Sequence, residues 1–149
     1  RYISDELNGS RALIAAQALG IAQGALDSAV SYTSEREQFG SPLSKFQMIR
    51  ATVADMAVKV ESSRALLHDA VRLVEEGDHR ARSRVAMAKL LCSDSAMSVT
   101  TDAVQMYGGY GYVRDYPVER MMRDAKITQI YEGTNQIQRL LIAKSLYAA

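Results

Sequence analysis

An all-α fold, an up-and-down four-helix bundle, is what these 149 residues predict, and three observations carry the reading. There are only two prolines, Pro42 and Pro117, and each lies beside Gly, Ser, Asp or Tyr residues that read as loops. Apolar and small residues recur at steps of three and four over long stretches. No segment shows the apolar–polar alternation of a half-buried strand.

The first helix is expected from about Gly9 to Glu37, with Ile14, Ala18, Ile21, Ala25 and Ala29 painting one face. Ala16, Gly20 and Gly24 form a second stripe, where missing side-chain bulk would let a neighbouring helix approach closely; the alternative is glycines kept for a ligand. Ser44 with Gln47 three residues on has the form of a capping box and starts the second helix after Gly40-Ser41-Pro42. Phe46, Ile49, Val53, Met56, Val60, Ser63, Leu67, Ala70 and Val74 then keep a heptad register, that of a helix packed lengthwise against others. Glu76-Gly77-Asp78 ends it.

A third helix runs from about Arg80 to Tyr107, with Val85, Ala88, Cys92, Ala96, Val99, Ala103 and Met106 on one side, and Gly108-Gly109-Tyr110-Gly111 stops it. Pro117 suits the first turn of a short helix reaching about Lys126, and a last helix runs from Thr134 or Asn135 to Tyr147. Four elements joined by mostly short loops, with one irregular connection over 108–133, make the bundle, so residues 1–149 are expected to form one domain.

Composition narrows the function. Lys plus Arg is 18 and Asp plus Glu is 17, a net charge of +1 that argues against a dedicated nucleic-acid binder. The basic run Arg80, Arg82, Arg84 is short and lacks interleaved aromatics, so a solvated face is expected there. One cysteine, Cys92, and two histidines, His68 and His79, leave neither a disulfide framework nor a metal cage. Glu76-Gly77-Asp78-His79 matches one half of a di-iron motif but straddles a helix break, and no second half exists; no metal is expected. The uncharged run from Ala12 to Leu26 reads as too short and polar for a bilayer, so no membrane insertion is expected. No secretory signal opens the chain, and the lone cysteine suits a reducing compartment. Its start at Arg1 suits a piece of a longer protein.

Two stretches could carry chemistry. Gly108-Gly109-Tyr110-Gly111 closes a helix where phosphate loops open one, so it reads as a glycine cap, although paired glycines also leave room for a flat ligand. Tyr131-Glu132-Gly133-Thr134-Asn135-Gln136 sets a carboxylate just before a helix start, followed by a flexible glycine. Glu132 is either an acid complementing the helix dipole or a general base on a mobile elbow, desolvated by Ile130 and Tyr131.

Arg36-Glu37-Gln38-Phe39-Gly40 with Pro42-Leu43 and Phe46-Gln47 resembles the R-x-x-F-G-x-x-L-x-x-x-Q signature of acyl-CoA dehydrogenases. Gln105 to Tyr112 is similar to that family's Q-x-x-G-G-x-G-Y loop, and Arg123-Asp124-Ala125 with Ile130 to Arg139 is similar to its C-terminal signature. The resemblance spans the chain but corresponds to the C-terminal helical domain alone; the family's N-terminal helical and middle β domains are absent from this chain.

The resemblance implies α,β-dehydrogenation of acyl-CoA thioesters to trans-2-enoyl-CoA. Glu132 matches the base that takes the α-proton while hydride passes to FAD, and its backbone N–H would polarise the thioester carbonyl. Some members carry the base on the first long helix, but Asn8, Gly9 and Ser10 offer no carboxylate there. Nitroalkane oxidases, which use an aspartate, fit less well. FAD would be held by Arg36 at its pyrophosphate, by Gln38, Phe39, Gln47, Gln105, Met106, Tyr107, Gly108 and Gly109, and by Thr134, Asn135 and Gln136 on the last helix. Gln47 has two readings, capping partner and flavin ligand. Asn8, Gly9, Ser10, Arg11 and Gly133 match positions lining the acyl-CoA site, with Asn8 standing where many members have Asp.

FAD sites completed across subunits imply a homo-oligomer, a dimer or tetramer, and electron-transferring flavoprotein is the implied electron acceptor. The bacterial cytoplasm is the expected compartment, or the mitochondrial matrix in a eukaryote. The isolated chain is expected to be inactive, and a catalytically inactive helical assembly module of the same fold is the rival reading.

Overall fold

The computed structural model describes residues 2–147, with side chains from residue 9 onward. Five α-helices follow the apolar periodicity: α1 (Tyr2–Glu35), α2 (Gln47–Glu75), α3 (Ala81–Tyr107), α4 (Val118–Thr128) and α5 (Asn135–Tyr147). Between α1 and α2 lies an antiparallel pair of two-residue strands, β1 (Glu37–Gln38) and β2 (Ser41–Pro42), too short for any alternation to signal. Short 3-10 turns occupy Leu43–Lys45 and Gly108–Tyr112.

The bundle is organised on α3, which packs against all four other helices. Val85, Ala88, Cys92, Ala96, Val99 and Ala103 are fully buried, as the spacing predicts, but so are Ala86, Lys89, Ser93 and Thr100 on other sides of the same helix. Three walls of the bundle are long helices of 34, 29 and 27 residues. The fourth is not: α4 has 11 residues, the chain breaks over 129–134, and α5 adds 13 more against α3.

On α1 the buried ladder is Ala15, Ala18, Ala22, Ala25 and Ala29, each with no solvent exposure. The expected Ile14 and Ile21 sit at its margin, half-buried. Methyl-sized side chains at heptad steps let α1 lie close to α3, whose facing residues are also small. The stripe Ala16, Gly20, Gly24 is not that close approach. Ala16 and Gly20 are exposed, a Cβ on Gly20 would meet nothing within 4 Å, and one on Gly24 would meet only Met121 Cε at 3.7 Å. By length and composition Gly9–Glu35 is enough to cross a bilayer, unlike the shorter uncharged run; here its alanine face joins the bundle core.

The α2 start differs from expectation. Its N-cap is Phe46, no side chain caps it, and Ser44 lies within the preceding 3-10 turn, so the Ser44–Gln47 capping box does not form. The register holds through Met56, Val60, Ser63, Leu67 and Ala70, then buries Leu73 where Val74 was expected; Val74 is 40% exposed. At the end of α2, Gly77 N–H bonds to Val74 O and Asp78 N–H to Leu73 O, with Gly77 at φ +66°, a Schellman cap. Arg80 and Arg84 pair with Asp78 and Asp69, a solvated, charge-balanced face. His68 and His79 are exposed.

Candidate active site

After α4, three N–H groups turn back in sequence, Gln129 onto Lys126 O and then Ile130 and Tyr131 onto Ile127 O, and Asn135 N–H closes the loop onto Gln129 O at 3.0 Å. Glu132 lies in this loop at φ +53°, a left-handed conformation that a non-glycine residue holds at a cost of about 1–3 kcal/mol. Gly133 follows at φ +92°. Thr134 Oγ1 accepts from Ile137 N–H at 3.4 Å, so α5 starts on a threonine cap.

Side chains from three helices grip this strained elbow. From α1, Ser10 Oγ donates to Glu132 Oε2 at 2.8 Å and Arg11 Nε to the Glu132 carbonyl at 3.3 Å. From α3, Lys89 Nζ donates to the Gly133 carbonyl at 2.9 Å. From α5, Gln138 Nε2 donates to the Gly133 carbonyl at 2.9 Å and reaches the Glu132 carbonyl at 3.4 Å. A Cβ on Gly133 would stand 2.8 Å from Gln138 Nε2 and within 4 Å of the Arg11 guanidinium, so a side chain there would displace the Gln138 amide and strain a backbone held at φ +92°.

The structure therefore brings Glu132, Gly133, Ser10 and Arg11 together across some 120 residues of sequence. Arg11 is 8% exposed, and burial draws its guanidinium below the ordinary value, with Arg82 adding to the effect and Glu132 opposing it. Gly9 is exposed one residue away, and Asn8 lies outside the residues whose side chains are described. The flanking residues do not enclose Glu132 as expected. Ile130 is half exposed, and the Tyr131 hydroxyl is bound to Gln17.

At the other end of α1 lies a groove of about 570 Å³ whose walls include Arg36, Gln38 and the Gln105–Gly109 segment. Arg36 leaves α1 with its guanidinium 5.4 Å from the centroid of Tyr110. Tyr32 and Tyr107 stack at 3.9 Å, and the Tyr107 hydroxyl donates to Ser28 O, tying the glycine loop to α1. Met106 and Tyr107 are buried, whereas Gly108 and Gly109 are exposed with open space where a side chain would stand. Gly111 is different: its Cβ would overlap the Val104 carbonyl oxygen.

Phe39 and Gln47 stand outside the walls of this groove. Phe39 (φ +53°) and Gly40 (φ +77°) form a two-residue turn with positive φ at both positions between β1 and β2, and the phenyl ring is 94% exposed. Gln47 is exposed at the first position of α2. Thr134 and Gln136 line a shallow depression at the start of α5 with Asp94 and Arg139. Asn135 points inward instead: it is 3% exposed, its Oδ1 accepts from Lys89 and its Nδ2 donates to Ser93 and Asp94.

Sequence reasoning passed over Lys89 and Gln138. Lys89 had a signal, as the one charge in the otherwise uncharged run Val85–Ser93. Gln138 lies within the Ile130–Arg139 signature stretch but had no signal of its own, since glutamine is ordinary on a helix surface.

Comparison with known proteins bears on this geometry. A family model described as "Acyl-CoA dehydrogenase, C-terminal domain" matches residues 1–147. A cyclohexane-1-carbonyl-CoA dehydrogenase of Geobacter metallireducens is 53% identical over 137 residues, covering 92% of this chain and 36% of that protein. The structure of butyryl-CoA dehydrogenase from Megasphaera elsdenii superposes with a TM-score of 0.95 at 50% identity, over 98% of this chain and 38% of that one. A chain from a structure of the electron transferring flavoprotein of Acidaminococcus fermentans superposes with a TM-score of 0.94 at 56% identity, over 96% and 37% respectively. The chain thus spans little more than a third of the relatives it matches.

Proposed function

Because the chain belongs to the acyl-CoA dehydrogenase family, as its C-terminal helical domain, we propose that it carries the base of an FAD-dependent α,β-dehydrogenation of acyl-CoA thioesters, with Glu132 as that base. The single observation that supports this most is the elbow. A carboxylate is held in a strained backbone conformation, oriented by Ser10 and backed by Arg11 through its own carbonyl. Strain of that size, gripped from three helices, points to a carboxylate whose direction matters.

In this reading the thioester binds with its α-carbon at the Glu132 carboxylate. The α-proton moves to a Glu132 oxygen, and the Glu132 N–H donates to the thioester oxygen as negative charge develops there. Bound FAD supplies the acceptor for the hydride that leaves the β-carbon. Ser10 keeps one carboxylate oxygen occupied, which leaves the other to meet the proton.

The residues present suit FAD as two half-sites. At one end, a cationic fork, two glutamine amides and a bare glycine backbone line a groove. At the other, Thr134 and Gln136 lie beside the Glu132 elbow. Arg36 and Ser10 are about 39 Å apart along α1 at ~1.5 Å per residue, more than one dinucleotide spans. One FAD therefore draws on the Arg36 end of one copy and the Glu132 end of another, which supports a homo-oligomer. In the whole protein the N-terminal helical and middle β domains complete the site, and an electron-transferring flavoprotein reoxidises the flavin. The carrying compartment is the bacterial cytoplasm or mitochondrial matrix.

The test uses the full-length protein, mixed anaerobically with butyryl-, octanoyl- and isobutyryl-CoA while the flavin band is followed. Rapid bleaching in the wild type that Glu132→Gln abolishes is the expected result, and the thioester that bleaches fastest names the substrate class. Bleaching that survives the substitution places the base elsewhere, and no bleaching with any thioester returns the assembly-module reading.

A further inference from the structure

Lys89 is the largest fully buried side chain among the described residues, with no solvent exposure. Burying an ammonium costs several kcal/mol that a leucine or methionine of similar bulk would not incur, so its presence in the middle of α3 calls for a use. Its two acceptors are the Gly133 carbonyl at 2.9 Å and Asn135 Oδ1 at 2.8 Å. The first belongs to the residue that follows Glu132; the second belongs to the first residue of α5. Asn135 is itself held by Ser93 and Asp94 of α3, so the ammonium sits where the elbow and the start of α5 meet the central helix.

We propose that Lys89 is a positioning residue for Glu132: by anchoring the Gly133 carbonyl and the Asn135 side chain to the rigid centre of the bundle, it holds the elbow in the left-handed conformation that aims the carboxylate. This rests on the reading of Glu132 as the base. Arg11 on α1 donates to the Glu132 carbonyl, and Gln138 on α5 donates to the Glu132 and Gly133 carbonyls; Lys89 is the described α3 side chain that donates to the elbow's own backbone, while Gln129 and Asn135 on either side of the elbow bond to Asp94. Burial draws the ammonium down to about 8, with nearby Arg11 in the same direction and Asp94 opposing. A neutral amine keeps two N–H donors for the two acceptors, so the anchor works in either state.

The experiment compares full-length wild type, Lys89→Met and Glu132→Gln by anaerobic flavin bleaching with unlabelled and α-deuterated acyl-CoA, normalised to bound flavin. Lys89→Met is expected to slow bleaching at saturating substrate at least tenfold, leave KM within about threefold, and raise the α-deuterium isotope effect as proton abstraction becomes limiting. Amide hydrogen exchange over 133–136, read without substrate, should quicken by a similar factor. A wild-type rate and isotope effect in Lys89→Met, with Glu132→Gln inactive, overturns the proposal and leaves the base in place; bleaching in Glu132→Gln overturns the base first. If Lys89→Met does not retain flavin, Lys89→Gln takes its place, and failure of both to fold assigns Lys89 to bundle stability and overturns the proposal.

Discussion

Gly133 shows how a single missing side chain shapes the site. At φ +92° it occupies backbone space that other residues enter only under strain, and the room a Cβ needs is taken by Gln138 Nε2. Gly133→Ala is therefore expected to lower stability by about 1–3 kcal/mol, read as a shift in the denaturation midpoint. The change in flavin bleaching should be larger, more than tenfold, because the strained φ falls on the residue next to Glu132 and the clash displaces the Gln138 amide that holds the Glu132 and Gly133 carbonyls. Equal losses in the two measurements would mean that the elbow's geometry does not matter to the chemistry. Cys92 is a contrast. Burial pushes its thiol up to about 11, and it rests near the Ser63 carbonyl, so it behaves as a small core residue and should resist alkylation in the folded protein.

At the scale of elements, the turn between β1 and β2 and the cap of α2 make opposite predictions. The turn has Phe39 followed by Gly40 where Asn-Gly is the relaxed choice, and the Phe39 ring is exposed and edge-on to Phe46 at 6.2 Å. Phe39→Asn should hold or raise thermal stability by about 1 kcal/mol while weakening flavin retention in the assembled enzyme, if the exposed ring contacts FAD as the resemblance implies. Unchanged flavin retention would make the strained ring a local accident. Gly77, by contrast, meets nothing and closes α2 by geometry alone. Gly77→Ala should cost about 1 kcal/mol with no effect on flavin bleaching.

The whole molecule turns on α3, and Lys89 makes its stability depend on pH. Its folded value of about 8 lies below the ordinary 10.5, so between those pH values the unfolded chain binds more protons than the folded one. The contribution of this group to stability therefore rises with pH across that window and is smallest below pH 8. The difference in denaturation midpoint between wild type and Lys89→Met should shift in the wild type's favour from pH 7.5 to pH 10. On the proposed reading the 149-residue chain alone carries only half of each FAD site, so it is expected to purify colourless and without turnover. A flavin absorption band on the isolated chain would sink that expectation.

Periodicity located the three long helices and Pro117 and Thr134 or Asn135 the two short ones, because apolar spacing and helix-start residues are local properties; the exception is the start of α1, which begins at Tyr2 and not near Gly9. The glycine stops at Gly77 and Gly108 were legible for the same reason: a positive φ is decided by the residue itself. The residues themselves singled out Glu132 and the Gly108–Gly111 cluster with two readings each, and the resemblance added Arg36 and Gln105 and implied the roles. What no local pattern could settle was which of two neighbouring stripes on α1 would face the core, since Ala15-Ala18-Ala22 and Ile14-Ala18-Ile21 differ by one position and only the fit against α3 chooses between them. Nor could it show that the Ser44–Gln47 pair leaves α2 uncapped, that Asn135 turns inward, or that Lys89 lies beneath the elbow. The first rests on a local 3-10 turn that takes up Ser44; the other two depend on distances between residues far apart in the chain, and only the packed bundle brings them within the reach of a hydrogen bond.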